Sequence, residues 1–391
     1  MNQADATERA ADIMLVFARL TGLAPAGPHP QRYLWTDAFA VCTYLELFRQ
    51  TGNTTYQELA LRLVDQVHHT LGRHRDDDTR CGWISGLPER EGELHPTLGG
   101  LRIGKPYKER GPDEPFNERR EWDQDGQYYH YLTKWMHALN QVSRATGDVK
   151  YLTWAIELAQ TVHAGFTYNP GPGSRKRMYW KMSIDLTRPL VPSMGQHDPL
   201  DGFVTYNELQ LTAVNNFSLP LNTGLDADSA DMADICRGIN LFTDDPLGIG
   251  GLLSDASRIA QLTIQRGSAF GNLLEFILDA AWEGLDCYSQ GSPLGLPAGY
   301  RLAFRELGLS IGLSGTEMLA AWIDENPDLF GRPEVLQRLV ESLSLYGPLG
   351  KNIEQFWMQD VNRQAATWTG HREINMVMLA TSLSPRGFLV I

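Results

Sequence analysis

Four cysteines in 391 residues, Cys42, Cys81, Cys236 and Cys287, are too scattered to frame a disulfide scaffold, and none forms a C-x-x-C pair. They read as core or surface thiols of a reducing compartment. No apolar run approaches the ~20 residues that cross a bilayer, which excludes a spanning helix. The N-terminal stretch MNQADATERAADIMLVFARL lacks a basic start and an unbroken apolar core, so it reads as an amphipathic helix, and a cytoplasmic location is expected. Basic residues are also in deficit. Lys and Arg number 34 against 47 Asp and Glu, a formal net charge of −13, which argues against nucleic acid or an anionic membrane as partner. Strand signals are almost absent, so no strand-to-helix nucleophile elbow for a serine hydrolase is expected. No H-x-x-x-H is present either, and HDPLD (197–201) alone is a weak case for a metal, so neither metal nor other cofactor is expected. GPGSRKR (171–177) is basic and glycine-rich but lacks the Lys-Ser/Thr ending of a phosphate loop, and it reads as a loop tip.

What the chain does have is helix, with strand signals almost absent. RQTGNTTYQELALRLVDQVH (49–68) and RATGDVKYLTWAIELAQTVH (144–163) share eight identities in register at an offset of 95 residues. In each copy a helical run stops at a glycine, Gly52 or Gly147, suited to the left-handed C′ position, and Asn53 or Asp148 is placed to cap the next helix. Each copy is therefore an αα-hairpin, pairing 36–51 with 54–72 and 127–146 with 149–164. A third variant is expected in AFRELGLSIGLSGTEMLAAWID, with Gly315 ending one helix and Thr316 opening another. Helical periodicity also runs over 6–20, 202–214, 229–240, 254–264, 268–288, 333–345 and 371–383. About a dozen helices, six inner and six outer, form one all-α domain over residues 1–391. First helices are the more apolar and are expected inside. Long loops at 72–126, 166–201, 290–299 and 351–370 all precede inner helices, so one rim carries them and is the place to look for function.

Six of the ten tryptophans, Trp35, Trp83, Trp122, Trp180, Trp357 and Trp368, fall in those loops or at inner-helix starts. An indole offers an apolar platform to a sugar ring and an N–H to a hydroxyl, and Tyr33, Tyr128, Tyr179 and Tyr206 extend such a surface. The plainer alternative is that they anchor loops. Asp37, Asp123, Asp125, Asp198 and Asp201 lie near the same helix starts. Singly each reads as a cap or first-turn acid; together they suit the acid and base carboxylates of glycoside chemistry. His68 and His163 hold the repeated outer-helix position and read as structural. His130 and His137 are seven residues apart on one face of an inner helix, and His197 and His371 start later ones. Two inner-helix histidines could exchange a proton with a sugar carbon or hydroxyl.

The repeated TG[ND]xxY hairpins, the near absence of strands and the rim rich in acids and tryptophans resemble the six-hairpin (α/α)6 toroid glycosidase superfamily. The resemblance implies an all-α (α/α)6 toroid acting on a small-molecule or oligosaccharide substrate. In the branch similar to unsaturated glucuronyl hydrolases, an essential aspartate stands at or before an inner helix, a placement matched by Asp123, Asp125 and Asp201. In the branch similar to N-acylglucosamine 2-epimerases, a Met-His pair faces a second histidine; KWMHALNQ supplies Met136 and His137, and GHREIN supplies His371 and Arg372. Because carboxylates outnumber histidines at the rim, hydrolysis is favoured. Asp123 or Asp125 is then the general acid and Asp201 the base. Trp35, Asp37, Trp122, Tyr128, Trp180, His197, Trp368 and Arg372 are expected to contact substrate. Proton transfer by His137 and His371, or ligand binding without catalysis, are the alternatives.

Overall fold

A computed structural model describes residues 2–215, 224–267, 270–291 and 293–391. The helices are α1 (Gln3–Leu20), α2 (Leu34–Thr51), α3 (Thr54–Leu71), α4 (Glu89–Leu94), α5 (Glu118–Glu121), α6 (Tyr129–Thr146), α7 (Val149–Phe166), α8 (Asp198–Val214) and α9 (Asp226–Cys236). They continue with α10 (Pro246–Arg266), α11 (Gly271–Gln290), α12 (Ala303–Glu325), α13 (Pro333–Ser344), α14 (Gly347–Met358), α15 (Ala366–Thr369), α16 (Arg372–Leu383) and α17 (Arg386–Leu389). Both repeated hairpins are present. Gly52 and Gly147 take φ of 68° and 73°, and the Asp148 side chain accepts from Lys150 N at the head of α7. None of these helices is long and apolar enough to cross a membrane. The helix expected to begin at residue 268 begins at Gly271; residues 268 and 269 lie outside the described residues.

Two departures from expectation have physical reasons. Gly315 does not end a helix: α12 runs through it, and it is buried where a Cβ would meet Ser257 Oγ at 2.4 Å. Glycine serves close helix approach there, not a turn. The stretch after Lys351 is not all loop either. α14 reaches Met358, anchored by the wholly buried Trp357, whose indole donates to Glu306 at 2.8 Å.

Internal contacts divide the chain into two compact units. The first is Thr21–Leu45 with Thr54–Ile239. Here α6 packs on α7 and α8, and α8 on α9. Trp135, fully buried, donates its indole N–H to His68 Nε2 at 3.1 Å, and burial pulls the His68 pKa down to about 3. The expected strand-poor character holds with an addition: five strands of two or three residues order the long loops. β1 (Gln127–Tyr128) and β5 (Pro189–Val191) flank β4 (Lys181–Met182), and β2 (Thr167–Tyr168) pairs with β3 (Arg177–Met178), all antiparallel. The second unit is Met1–Leu20, Glu46–Asn53 and Asn240–Ile391. There α1 buries Ala10, Met14 and Phe17 and packs on α16, and α10 packs along α12.

Candidate functional site

The site builds from the start of α6 in the first unit. Gly126, at φ 145°, approaches so closely that a Cβ would meet Met182 O at 2.7 Å, which lets the chain turn from Asp125 into β1. The ladder then sets Tyr128 opposite Lys181, so Trp180, just ahead of β4, lies 5.4 Å from Tyr128 and 6.4 Å from His130 with nearly parallel rings. Tyr131 touches His130 edge-on at 4.7 Å, and its hydroxyl meets that of Tyr33 at 2.6 Å. Trp35 lies 6.4 Å from Tyr131, and Trp122 stands edge-on to Trp180. Tyr33, His130, Tyr131, Lys134 and Trp180 are half-buried, so these residues form a floor with one side open. Each ring pair is worth about 0.5–1.5 kcal/mol beyond its buried area, enough to hold the floor's shape.

The five aspartates have separate fates. Asp125 is buried. Its oxygens accept from Arg102 at 2.9 Å, Arg75 at 3.2 Å and the backbone N–H groups of Gly104, Lys105 and Gly126. That is a loop clamp with no oxygen to spare. Asp37 is buried at the start of α2, bound by Arg32 at 3.3 Å and by Tyr33 N at 2.9 Å. Asp201 accepts from Thr133 and, at 2.7 Å, from Lys134. Asp123 is exposed in the loop. Asp198 differs from all of these. It opens α8, is 6% exposed, and leaves Oδ2 buried with no hydrogen-bond partner among the described residues. Its Oδ1 lies 3.8 Å from His130 Nδ1, too far for a hydrogen bond, and that ring nitrogen is itself buried and unpartnered. Gly195 folds onto the carboxyl, where any side chain would collide.

Electrostatics separates these carboxyls further. Burial raises Asp37 to about 6, checked by the Arg32 guanidinium. Burial, and then the nearby Asp201 charge, raises Asp198 to about 8 against the opposing charge of Lys134. Burial pulls His130 down to about 4. A buried carboxyl and a half-buried imidazole, each with an unpartnered polar atom among the described residues and each uncharged near neutrality, have the protonation states that a general acid and a general base need.

The other expected residues fall elsewhere. His137 is wholly buried within the first unit, its Nδ1 2.9 Å from Glu208, which also accepts from Asn140. His197 is half-buried before α8, and its carbonyl accepts from Asp201 N. Tyr206 is buried with its hydroxyl on Tyr129, so it offers no platform. His371 and Arg372 are exposed at the start of α16 in the second unit, His371 edge-on to Phe304. In that unit Trp368 stacks on Trp357, and with Arg372, Arg363 and Asp12 it lines a cavity of about 840 Å³. Sequence reasoning had noted His130 and Asp198 without selecting them. The signal available was the 130, 131, 134 spacing, which sets a histidine, a tyrosine and a lysine on one face of α6.

No protein-family model matches the sequence, and no curated protein matches it. Among solved structures, a cellobiose 2-epimerase from Spirochaeta thermophila superposes with a TM-score of 0.50 at 13% identity, over 97% of this chain and 97% of that one. A sugar epimerase from a ruminal bacterium gives 0.49 at 10% identity over 90% of this chain and 87% of that one. The likeness is one of fold: the chain has the all-α (α/α)6 architecture that its repeated hairpins led us to expect.

Proposed function

We propose that this protein is a carbohydrate-active enzyme that moves protons on a reducing sugar, as a 2-epimerase or aldose–ketose isomerase, with His130 as base and Asp198 as acid. The observation that carries this is the Asp198 carboxyl and His130 imidazole 3.8 Å apart on an aromatic floor, each holding a buried atom, Oδ2 and Nδ1, without a partner among the described residues, with pKa values pushed apart to about 8 and about 4. In the open-chain aldose, neutral His130 takes the C2 proton, the electron pair moves to form the C1–C2 double bond, and the carbonyl oxygen takes a proton from Asp198. Protonation of C1 by His130, with the O2 hydroxyl proton lost to the Asp198 carboxylate, gives the ketose; protonation of the other face of C2, with the O1 proton returned to Asp198, gives the epimer. Trp122 and Trp180 supply platforms for the ring, with buried Tyr128 packing on Trp180 and buried Trp35 on Tyr131 as their support. The name of the Spirochaeta protein, a cellobiose 2-epimerase, agrees with this chemistry. Residues 1–391 act as one domain in this proposal.

The hydrolase expected from the sequence loses its support here. A glycosidase needs a second carboxylate free to attack or activate water. Asp201 is held by Lys134 and Thr133, Asp125 by two arginines, and Asp123 lies in the exposed loop. The histidine pair of the epimerase alternative also changes, because His137 is sealed against Glu208. Incubation with reducing mono- and disaccharides, resolved by chromatography, tests the proposal. A new epimer or ketose of unchanged chain length, lost in His130→Asn, supports it; cleavage to shorter sugars refutes it.

A further inference from the structure

We propose that the sugar bound at this floor carries an anionic group, a carboxylate or a phosphate, remote from its reacting carbons, and that Lys105 receives it. The inference rests on assigning the floor to a sugar. Three lysines approach it. Lys134 is paired with Asp201, and Lys181 with Glu121 at 2.9 Å while also donating to the Glu121 and Gln124 carbonyls. Lys105 makes no hydrogen bond or ion pair through its ammonium among the described residues, yet it is half-buried with Nζ 5.2 Å from the centre of the Tyr33 ring. A half-buried ammonium without a partner is costly unless an anion completes it.

The position is built, not incidental. The Lys105 N–H reaches Asp125 at 3.4 Å and its carbonyl accepts from Arg75 at 2.7 Å, so the Asp125 clamp fixes the backbone that presents the side chain. Burial also holds its pKa below the ordinary lysine value, against the opposing charges of Asp123 and Asp125, neither of which bonds its ammonium among the described residues. From Lys105 the floor runs through Tyr33 and Tyr131 to His130, two aromatic contacts that separate the charge from the reacting end. The basic loop tip does not compete for this role: Arg175 donates to the Arg237 carbonyl and Lys176 pairs with Asp231.

Isothermal titration of the full chain with glucose and mannose, their uronates and their 6-phosphates tests this. The expected result is that one anionic series binds about tenfold or more tightly than its neutral counterpart, a margin of the size one charge-assisted contact supplies. Whichever series does so identifies the anion. Lys105→Met brings it down to the neutral sugar's affinity, and Lys105→Arg keeps the preference. Equal affinities in the wild type, binding by neither anion, or a preference that survives Lys105→Met overturns the proposal. Binding is read without turnover. A charge preference with no epimer or ketose formed would therefore sink the proton-transfer assignment and leave this one standing, and product formation with no charge preference would do the reverse.

Discussion

Desolvation acts in opposite senses on the two groups at the centre of the site, drawing His130 down to about 4 and lifting Asp198 to about 8. With His130 as base and Asp198 as acid, kcat/KM is expected to be bell-shaped, its limbs near those values and belonging to the pair as a unit. Asp198→Asn should lower kcat about 100-fold or more and abolish the alkaline limb; a pH–rate profile of both proteins checks this. The same shift bears on stability. A carboxyl whose folded pKa is raised contributes stability that is present at low pH and lost as pH climbs toward about 8. Asp198→Asn should therefore gain on the wild type as pH rises from about 4 to about 8, read from urea midpoints at several pH values. Asp125 makes the opposite case. Replacing it by Asn leaves the Arg102 guanidinium uncompensated and Arg75 with Asp77 alone, and a loss of about 3–5 kcal/mol in denaturant unfolding is expected, where a purely catalytic acid would affect turnover alone.

At the scale of elements, the hairpins were legible because their signals are local: a left-handed glycine, a capping Asp and an amphipathic face all lie within a few residues. Gly315 misled for the same reason. A glycine that ends a helix and one that admits a neighbouring helix look alike in sequence, and only the partner separates them. The α10–α12 crossing shows the second kind at its clearest. A Cβ on Gly312 would meet Gly250 O at 2.6 Å and Gly250 Cα at 2.7 Å, and one on Gly250 would meet Gly308 O at 2.1 Å. Alanine favours an isolated helix by about 1 kcal/mol over glycine, yet backbone-to-backbone collision costs more. Gly312→Ala is expected to destabilise by about 1–3 kcal/mol, which thermal melting would register as a lowered Tm. The site was only partly legible. Counting aspartates near the rim could not reveal which were already bound, because Asp125 is neutralised by residues 23 and 50 positions away. His130 and Asp198 meet across 68 positions of sequence, and no local pattern announces that contact.

At the scale of the whole molecule, a net charge of −13 and a Lys105 unpaired among the described residues fit together: an acidic surface with an open cation at the floor would direct an anionic sugar to that spot and away from the rest. Architecture alone does not choose between cleaving a sugar and rearranging it. Proton NMR of the protein with reducing sugars in deuterated water makes that choice. The account predicts solvent deuterium at C2 with every glycosidic bond intact, and no incorporation with His130→Asn. New reducing ends without deuterium at C2, unaffected by His130→Asn, would contradict it.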